Sequence, residues 1–466
     1  MAWRYALDEI ARAIDAPPAG VDRHVQSVST DTRTLRPGDL FFALRGEHFD
    51  GDRFAAEAFA RGAVAAVTHS PHDGGPCLIV KDALAALQQF AAYHRRRCAI
   101  PVIALTGSCG KTSTKDLIAS LLATRHRVVK TLGNLNNEIG CPLSVLRIDG
   151  ETDCAVIEMG ANHSGEIARL CEIALPTEAA ITLIAPAHLE GFGTVERVAH
   201  AKAEILGASP PPKVFYANAD DPFCMQIAQA FPGEKVLFGQ RGDVALESFT
   251  WEAPGEARLH VRPIGDLLLP LGCRAHAQNV LLAIAVGLRH GIVDFEAPLR
   301  AACATATRFK RLQIGPLDVI DDTYNANPAS MAASLSALKE WPREGARIAA
   351  LGDMFELGEA AAPLHREVGE AAARAGVTHL FAAGGHAHDM IAAAQAAGAP
   401  HAEVLDSHQA IADAIHAVAS PGDLLLVKGS RGMRMERVIQ ALQDKYAPET
   451  PCNSPHSPGR EAPLNP

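Results

Sequence analysis

Lys111 and Thr112 stand directly after a glycine in the run Gly107-Ser108-Cys109-Gly110-Lys111-Thr112-Ser113, an order of residue types that suits the capture of a phosphate chain. Glycines let the backbone turn and bring its N–H groups against an anion, the lysine reaches the outer phosphates, and the hydroxyl of Thr112 is a ligand for a nucleotide-bound Mg²⁺. The fuller form of this motif has a further glycine five residues before Gly110, where this chain has Leu105. Cys109 lies within the loop. A helix start and a neighbouring lysine would both favour a thiolate there, but the reading preferred is a small side chain that fills the turn.

The same chemistry needs acids and bases close by. Cys154-Ala155-Val156-Ile157-Glu158 is a buried-strand pattern ending in a carboxylate, and a strand over Ala179 to Ile184 is followed shortly by His188. In parallel α/β sheets, ligand-binding groups collect at the carboxyl ends of strands, so Glu158 and His188 are candidate metal ligands or water positioners, with helix capping and a surface imidazole as the alternatives. Lys428 and Arg431 follow the strand Asp423 to Val427 and can hold a carboxylate or reach a nucleotide on the preceding domain. Asp31, Arg33 and the Arg45-Gly46-Glu47 corner are either an anion or sugar site or simple turn chemistry.

These residues must be positioned by strands and helices that the hydrophobic pattern already outlines. Val102 to Leu105 is an apolar strand run, and Lys111 to Leu122 reads as the helix after the loop. Residues 1–82 form a small α/β unit with a short strand over His24 to Val28. Residues 83–304 alternate strand and helix and then become antiparallel between Gly239 and Pro270. Residues 305–446 form a second open, Rossmann-like α/β unit, and 447–466 read as a disordered tail rich in Pro and polar residues.

Composition limits the classes of function. The 466 residues include 43 Lys and Arg against 53 Asp and Glu, a net charge of −10, which offers no electrostatic reason for a nucleic acid or anionic membrane partner. Ten scattered cysteines without a paired spacing fit a reducing compartment. No signal peptide and no membrane-spanning stretch is read, so a cytoplasmic location is expected.

Several segments together resemble the Mur ligase family. They are T-G-S-C-G-K-T-S-T-K (106–115), G-N-L-N-N-E-I-G-C-P (133–142), E-M-G-A-N-H-S-G-E-I (158–167), A-H-L-E-G-F-G (187–193), K-A-E-I-L (202–206) and D-D-T-Y-N-A-N-P (321–328). D-T-R (31–33), G-D-L-F-F-A-L-R-G-E (38–47), L-G-D-M-F-E-L-G (351–358) and V-K-G-S-R-G-M (427–433) complete the set. The resemblance covers about residues 22 to 445, and the absence of a glycine at 105 is normal within that family.

The resemblance implies a three-domain α/β enzyme that uses ATP and Mg²⁺ to join an amine to the end of a muramyl peptide. The matched segments resemble most the branch that adds D-alanyl-D-alanine to UDP-N-acetylmuramoyl-tripeptide. A sibling that adds the third amino acid and a non-catalytic nucleotide-binding scaffold remain the competing readings. By resemblance, Ser29, Asp31, Arg33, Arg45, Gly46 and Glu47 meet the uridine diphosphate end. The 107–113 loop with Asn136, Asn137, Asn279, Arg308, Asn325 and Asn327 meets the nucleotide. Thr112, Glu158, His188 and a carbamylated Lys202 hold Mg²⁺, Lys111, His188, Lys202 and Lys428 are catalytic, and Ser430 lies near the ligation site. Thr182-Leu183-Ile184-Ala185-Pro186 and Thr307 depart from the family pattern. A monomer is expected.

Overall fold

The computed structural model describes residues 3–47, 49–305, 308–342 and 344–447. The reading of a disordered tail, beyond residue 447, and the departure at Thr307 lie outside the described residues.

Among the described residues three larger sheets carry the fold. In the first, Ser27–Ser29, Asp39–Phe42, Ala65–Thr68 and Cys77–Ile79 run parallel. The expected single strand over His24 to Val28 is in fact two. His24–Val25 pairs antiparallel with Tyr5–Ala6, while Ser27–Ser29 joins the parallel sheet. Alternation alone does not reveal such a switch of partner, because both halves keep an extended backbone.

The central sheet has nine strands, ordered Val128–Lys130, Cys154–Glu158, Val102–Thr106, Glu178–Ile181, Val214–Asn218, Glu234–Gly239, Val244–Ala253, Glu256–Arg262 and Gly265–Leu269. Pairing is parallel as far as Val244–Ala253 and antiparallel beyond it, as the alternating pattern of that region predicts. Val102–Thr106 is wholly buried, which its unbroken apolar run requires of a strand covered on both faces. The third sheet is parallel apart from its edge strand Lys310–Ile314, which pairs antiparallel with Leu317–Asp322.

The helix Ala83–Arg96 joins the first two sheets. Leu87 and Phe90 lie in one continuous apolar core with Leu40 and Phe42 on one side and Val102, Val145 and Ile157 on the other. Arg95, 5% exposed, donates to the carbonyl oxygens of Ala174 at 2.8 Å, Leu175 at 3.1 Å and Ile100 at 3.2 Å. A buried guanidinium with that many backbone acceptors ties the helix to the central unit without a carboxylate. The third unit meets the central one through rings. Trp251 packs edge-on to Trp341, Trp341 packs on Phe309, and Trp251 Nε1 donates to Glu340 at 3.3 Å.

Candidate active site

Sheet order alone sets the first spatial relationship. The strand Val102–Thr106 that feeds the glycine loop lies between Cys154–Glu158 and Glu178–Ile181. All three are parallel, so the loop, Glu158 and the segment leading to His188 emerge at one sheet edge.

The loop is held open by its neighbours. Gly107 and Gly110 have φ of +145° and +83°, and a Cβ on them would lie 2.0 Å from Thr182 Oγ1 and 2.4 Å from Asn279 Oδ1. Only glycine fits both the conformation and the space. Ser108 Oγ donates to Ala185 O at 2.8 Å, and Thr182 Oγ1 donates to Cys109 O at 2.6 Å. The 182–186 segment that departs from the family pattern thus cradles the loop with backbone carbonyls and one hydroxyl. Lys111 begins the helix Lys111–Leu122, and its Nζ donates back to Gly107 O at 2.7 Å. Burial pushes the Lys111 amine below its usual range, with Glu158 opposing. Cys109 goes the other way from a reactive thiolate: burial pushes its thiol up, and the cations of Lys428 and Lys111 do not reverse this.

Glu158 is 1% exposed. Its Oε1 accepts from Asn136 Nδ2 at 2.7 Å and from Thr112 Oγ1 at 3.2 Å. Its Oε2 is buried without a hydrogen bond, the nearest cation being Lys115 Nζ at 3.6 Å. An orphaned carboxylate oxygen beside a threonine hydroxyl and a phosphate loop is a donor set that suits Mg²⁺, a hard cation that takes oxygen ligands and shares them with phosphate. His188 lines the same cleft, and its Nδ1 is paired with the carboxylate of Glu356. Burial lowers the His188 pKa, Glu356 raises it, and Lys111 and Lys202 lower it again; the net direction is down, toward the neutral imidazole a metal requires.

Lys202 sits behind this face. It is 1% exposed, its Nζ donates to Ala161 O at 3.3 Å, and it lies 5.4 Å from the centre of the Phe192 ring. Burial first, and Lys111 second, bring its pKa down to about 7. At that pKa about half of the amine is uncharged at neutral pH and available as a nucleophile, whereas an ordinary surface lysine is almost wholly protonated there.

The opposite wall of the cleft, a space of about 870 Å³, comes from the third unit through Arg308, Asn325, Asn327 and Lys428. The guanidinium of Arg308 lies 3.1 Å from the centre of the Tyr324 ring. Lys428, 1% exposed, is paired with Asp322 and donates to Asn325 O at 3.1 Å. A second cavity of about 610 Å³ opens past Thr112, Asn279 and Arg308 between Leu117, Leu271 and Phe309.

The structure therefore gathers Ser108 to Ser113, Asn136, Asn137, Glu158, His188, Asn279, Arg308, Asn325, Asn327 and Lys428 around one cleft. Asn137 lines it while its Oδ1 accepts from Gly140 N at 2.9 Å. Gly107 underlies the loop. Ser430 is 2% exposed, and its Oγ accepts from Phe355 N at 2.8 Å and donates to Ala326 O at 3.4 Å. Ser29, Asp31, Arg33, Arg45, Gly46 and Glu47 lie apart, in the first unit. There Arg33 pairs with Asp31 at 2.7 Å, and Arg45 with Asp50 at 3.0 Å and Asp52 at 3.4 Å.

A family model for the Mur ligase middle domain matches residues 105–287, one for the Mur ligase glutamate ligase domain matches 307–431, and one for the Mur ligase family catalytic domain matches 24–105. The UDP-N-acetylmuramoyl-tripeptide--D-alanyl-D-alanine ligase of Escherichia coli (strain K12) is 37% identical over 456 residues, covering 94% of this chain and 98% of that protein. The chain belongs to the Mur ligase family. The similarity extends to solved Mur ligases. The crystal structure of MurF from Acinetobacter baumannii superposes with a TM-score of 0.85 at 30% identity over 95% of this chain and 99% of that one. MurF ligase from Thermotoga maritima in complex with ADP gives 0.78 at 27% identity over 90% and 97%.

Two residues of this Mur ligase site escaped the sequence reading. Lys115 ends the quoted 106–115 segment with no role given to it, yet it is 1% exposed and donates to Gly133 O at 3.0 Å, fixing the asparagine loop. Glu356 stands in the quoted L-G-D-M-F-E-L-G segment, but a glutamate in a loop carries no local sign of a partner 168 residues away.

Proposed function

We propose that this chain joins D-alanyl-D-alanine to the terminal carboxylate of UDP-N-acetylmuramoyl-tripeptide at the expense of ATP, a step in making peptidoglycan precursors. The observation that carries the reading is the convergence of the glycine loop, Glu158 and His188 on a cleft whose far wall belongs to another domain. The named activity of the E. coli relative supports the choice of substrates.

A carboxylate is a poor electrophile, so the tripeptide's terminal oxygen attacks the γ-phosphorus and the bond to ADP breaks, leaving an acyl phosphate. The dipeptide amine then attacks the acyl carbon, and the tetrahedral intermediate collapses with loss of phosphate. Lys111 and the N–H groups of the loop disperse charge on the transferring phosphoryl group. Thr112, Glu158, His188 and Lys202 carrying a carbamate would hold Mg²⁺, which when bound screens the phosphate oxygens. The amine of Lys202 must be neutral to add CO₂, and its lowered pKa supports that modification. Asn325, Asn327 and Arg308 close on the nucleotide, whose base has the second cavity beside Phe309 as its place. Lys428 and Ser430 order the loops around the ligation point. Both intermediates hydrolyse readily, and a cleft built from two domains keeps water out when they close.

Within this reading the unit 1–82 takes the uridine diphosphate end through Ser29, Asp31, Arg33 and the 45–47 corner, 83–304 takes ATP, and 305–446 completes the site. The protein works as a cytoplasmic monomer. Among the described residues no helix is long and apolar enough to cross a membrane.

The test is phosphate release by the purified chain supplied with the muramyl tripeptide, ATP and Mg²⁺, comparing D-alanyl-D-alanine with single amino acids. Release that depends on the dipeptide is expected. Release that instead requires the muramyl dipeptide and a single amino acid would transfer the chain to the sibling activity, and no ADP with any acceptor and amine would end the ligase reading.

A further inference from the structure

His188 and Glu356 belong to different domains and meet in an unusual way. Both hold left-handed backbone conformations, with φ of +52° and +63°, which non-glycine residues adopt at a cost. His188 Nδ1 is hydrogen-bonded to Glu356 Oε2, and two residues further on Glu190 N donates to Glu356 O at 3.0 Å. Gly358 lies beside the same segment, where a Cβ would be in ordinary van der Waals contact with the α-carbon of Glu190, at 3.6 Å. The contact is thus a two-point clasp of side chain and backbone.

Glu356 is presented rigidly on its own domain. Met354 N donates to His365 Nε2 at 2.9 Å, and His365 is fully buried. Phe355 N donates to Ser430 Oγ at 2.8 Å, and the Asp353 carboxylate accepts from Gly385 N at 2.6 Å and His386 N at 3.1 Å. Three consecutive residues are therefore pinned immediately before the glutamate that crosses the cleft.

We propose that Glu356 is a positioning residue for His188: its carboxylate accepts a hydrogen bond from Nδ1–H and so keeps the proton on that nitrogen, and the imidazole presents Nε2 as a lone-pair donor to the cleft only while the third domain is docked. The inference rests on the metal-holding role given to His188 above. Its physical basis is general. A histidine ligand whose second nitrogen donates to a carboxylate has its tautomer and ring orientation set by that partner, and loss of the partner weakens metal binding about 10–100-fold. What is particular here is that the carboxylate arrives from another domain, so that domain docking and metal affinity become one equilibrium.

The experiment uses the full chain with Glu356→Ala, Glu356→Gln and His188→Gln. Nitrogen NMR of histidine-labelled protein reports which ring nitrogen carries the proton, with the His188 signal identified as the one missing from H188Q. Mn²⁺ binding in the presence of a non-hydrolysable ATP analogue is followed by EPR. In the parent chain His188 should be protonated at Nδ1. E356A should populate the other tautomer and bind Mn²⁺ about tenfold or more weakly. E356Q, whose amide oxygen can still accept the hydrogen bond from Nδ1–H, should recover the tautomer and most of the affinity. Because the Glu356 side chain is 51% exposed, melting temperatures should stay together. An unchanged Nδ1-protonated His188 in E356A, with Mn²⁺ affinity equal to the parent, would overturn the inference. Unchanged Mn²⁺ binding in H188Q would instead remove His188 from the metal site, a failure of the functional reading that the tautomer comparison distinguishes from failure of the positioning role.

Discussion

Asn327 Nδ2 donates to the carbonyl oxygen of Ser108 at 3.3 Å, so the residue that caps a helix of the third domain touches the phosphate loop of the second. The same side chain caps its own helix, Pro328–Glu340, with Oδ1 accepting from Ser330 N at 2.8 Å. One amide therefore serves stability through its oxygen and domain closure through its nitrogen.

That division predicts different outcomes for two substitutions. Asn327→Ala removes both contacts and should lower stability by about 1 kcal/mol while raising the KM for ATP. Asn327→Asp keeps the cap but not the donor, and should leave stability within about 0.5 kcal/mol while raising the KM for ATP about fivefold or more. Denaturant titration and initial-rate kinetics measure the two effects separately. Equal KM values for the parent and N327D would deny the interdomain contact a role in nucleotide binding.

Lys111→Ala should abolish ATP turnover with the fold intact. Its Nζ donates to the carbonyl of Gly107, within its own loop, so its loss removes charge from the phosphate site more than it removes structure. Unchanged phosphate release at saturating substrates, with a normal circular dichroism spectrum, would contradict the assignment.

Lys202 yields a pH prediction with a definite sign. Burial, and then Lys111, bring its folded-state pKa down to about 7 from the ordinary lysine value of 10.5. Between those values the unfolded chain binds a proton that the folded chain does not, so stability of the unmodified protein rises with pH across that window and is lowest below about pH 7. The carbamate prediction follows the same titration: at constant dissolved ¹³CO₂, about a tenth of the amine is free at pH 6 and about nine-tenths at pH 8. A Lys202-dependent carbamate carbon signal should grow accordingly and be missing in Lys202→Met. A signal that persists in the variant, or none at pH 8 in the parent, would count against the modification.

Arg95→Ala strips a buried donor group from the carbonyls of Ala174, Leu175 and Ile100. A loss of about 3–5 kcal/mol is expected in urea unfolding, without a change in ATP affinity in the protein that remains folded. A cost below about 1 kcal/mol would mean that water replaces the guanidinium at those carbonyls.

Much of the site was legible because it is local. A strand, two glycines and a Lys-Thr pair at a helix start have to be consecutive, since the backbone that turns is the backbone that binds. Glu158 was legible for a related reason: a carboxylate closing an apolar run marks the end of a buried strand. For Cys109 the sequence left a thiolate open beside the turn-filling reading, because the cations near it were visible in the sequence and the burial that outweighs them was not.

The sequence by itself determined the strand–loop–helix unit, the order of the α/β elements and the family, all of which depend on residues close along the chain or on their order. Only the tertiary structure decided that Glu158 keeps one oxygen without a hydrogen bond, that Lys202 is buried enough to bring its pKa down to about 7, and that Glu356 reaches His188 across the cleft. Those three facts depend on desolvation and on contacts between distant segments, and both are set by how the sheets and domains pack, which residue types do not encode one at a time.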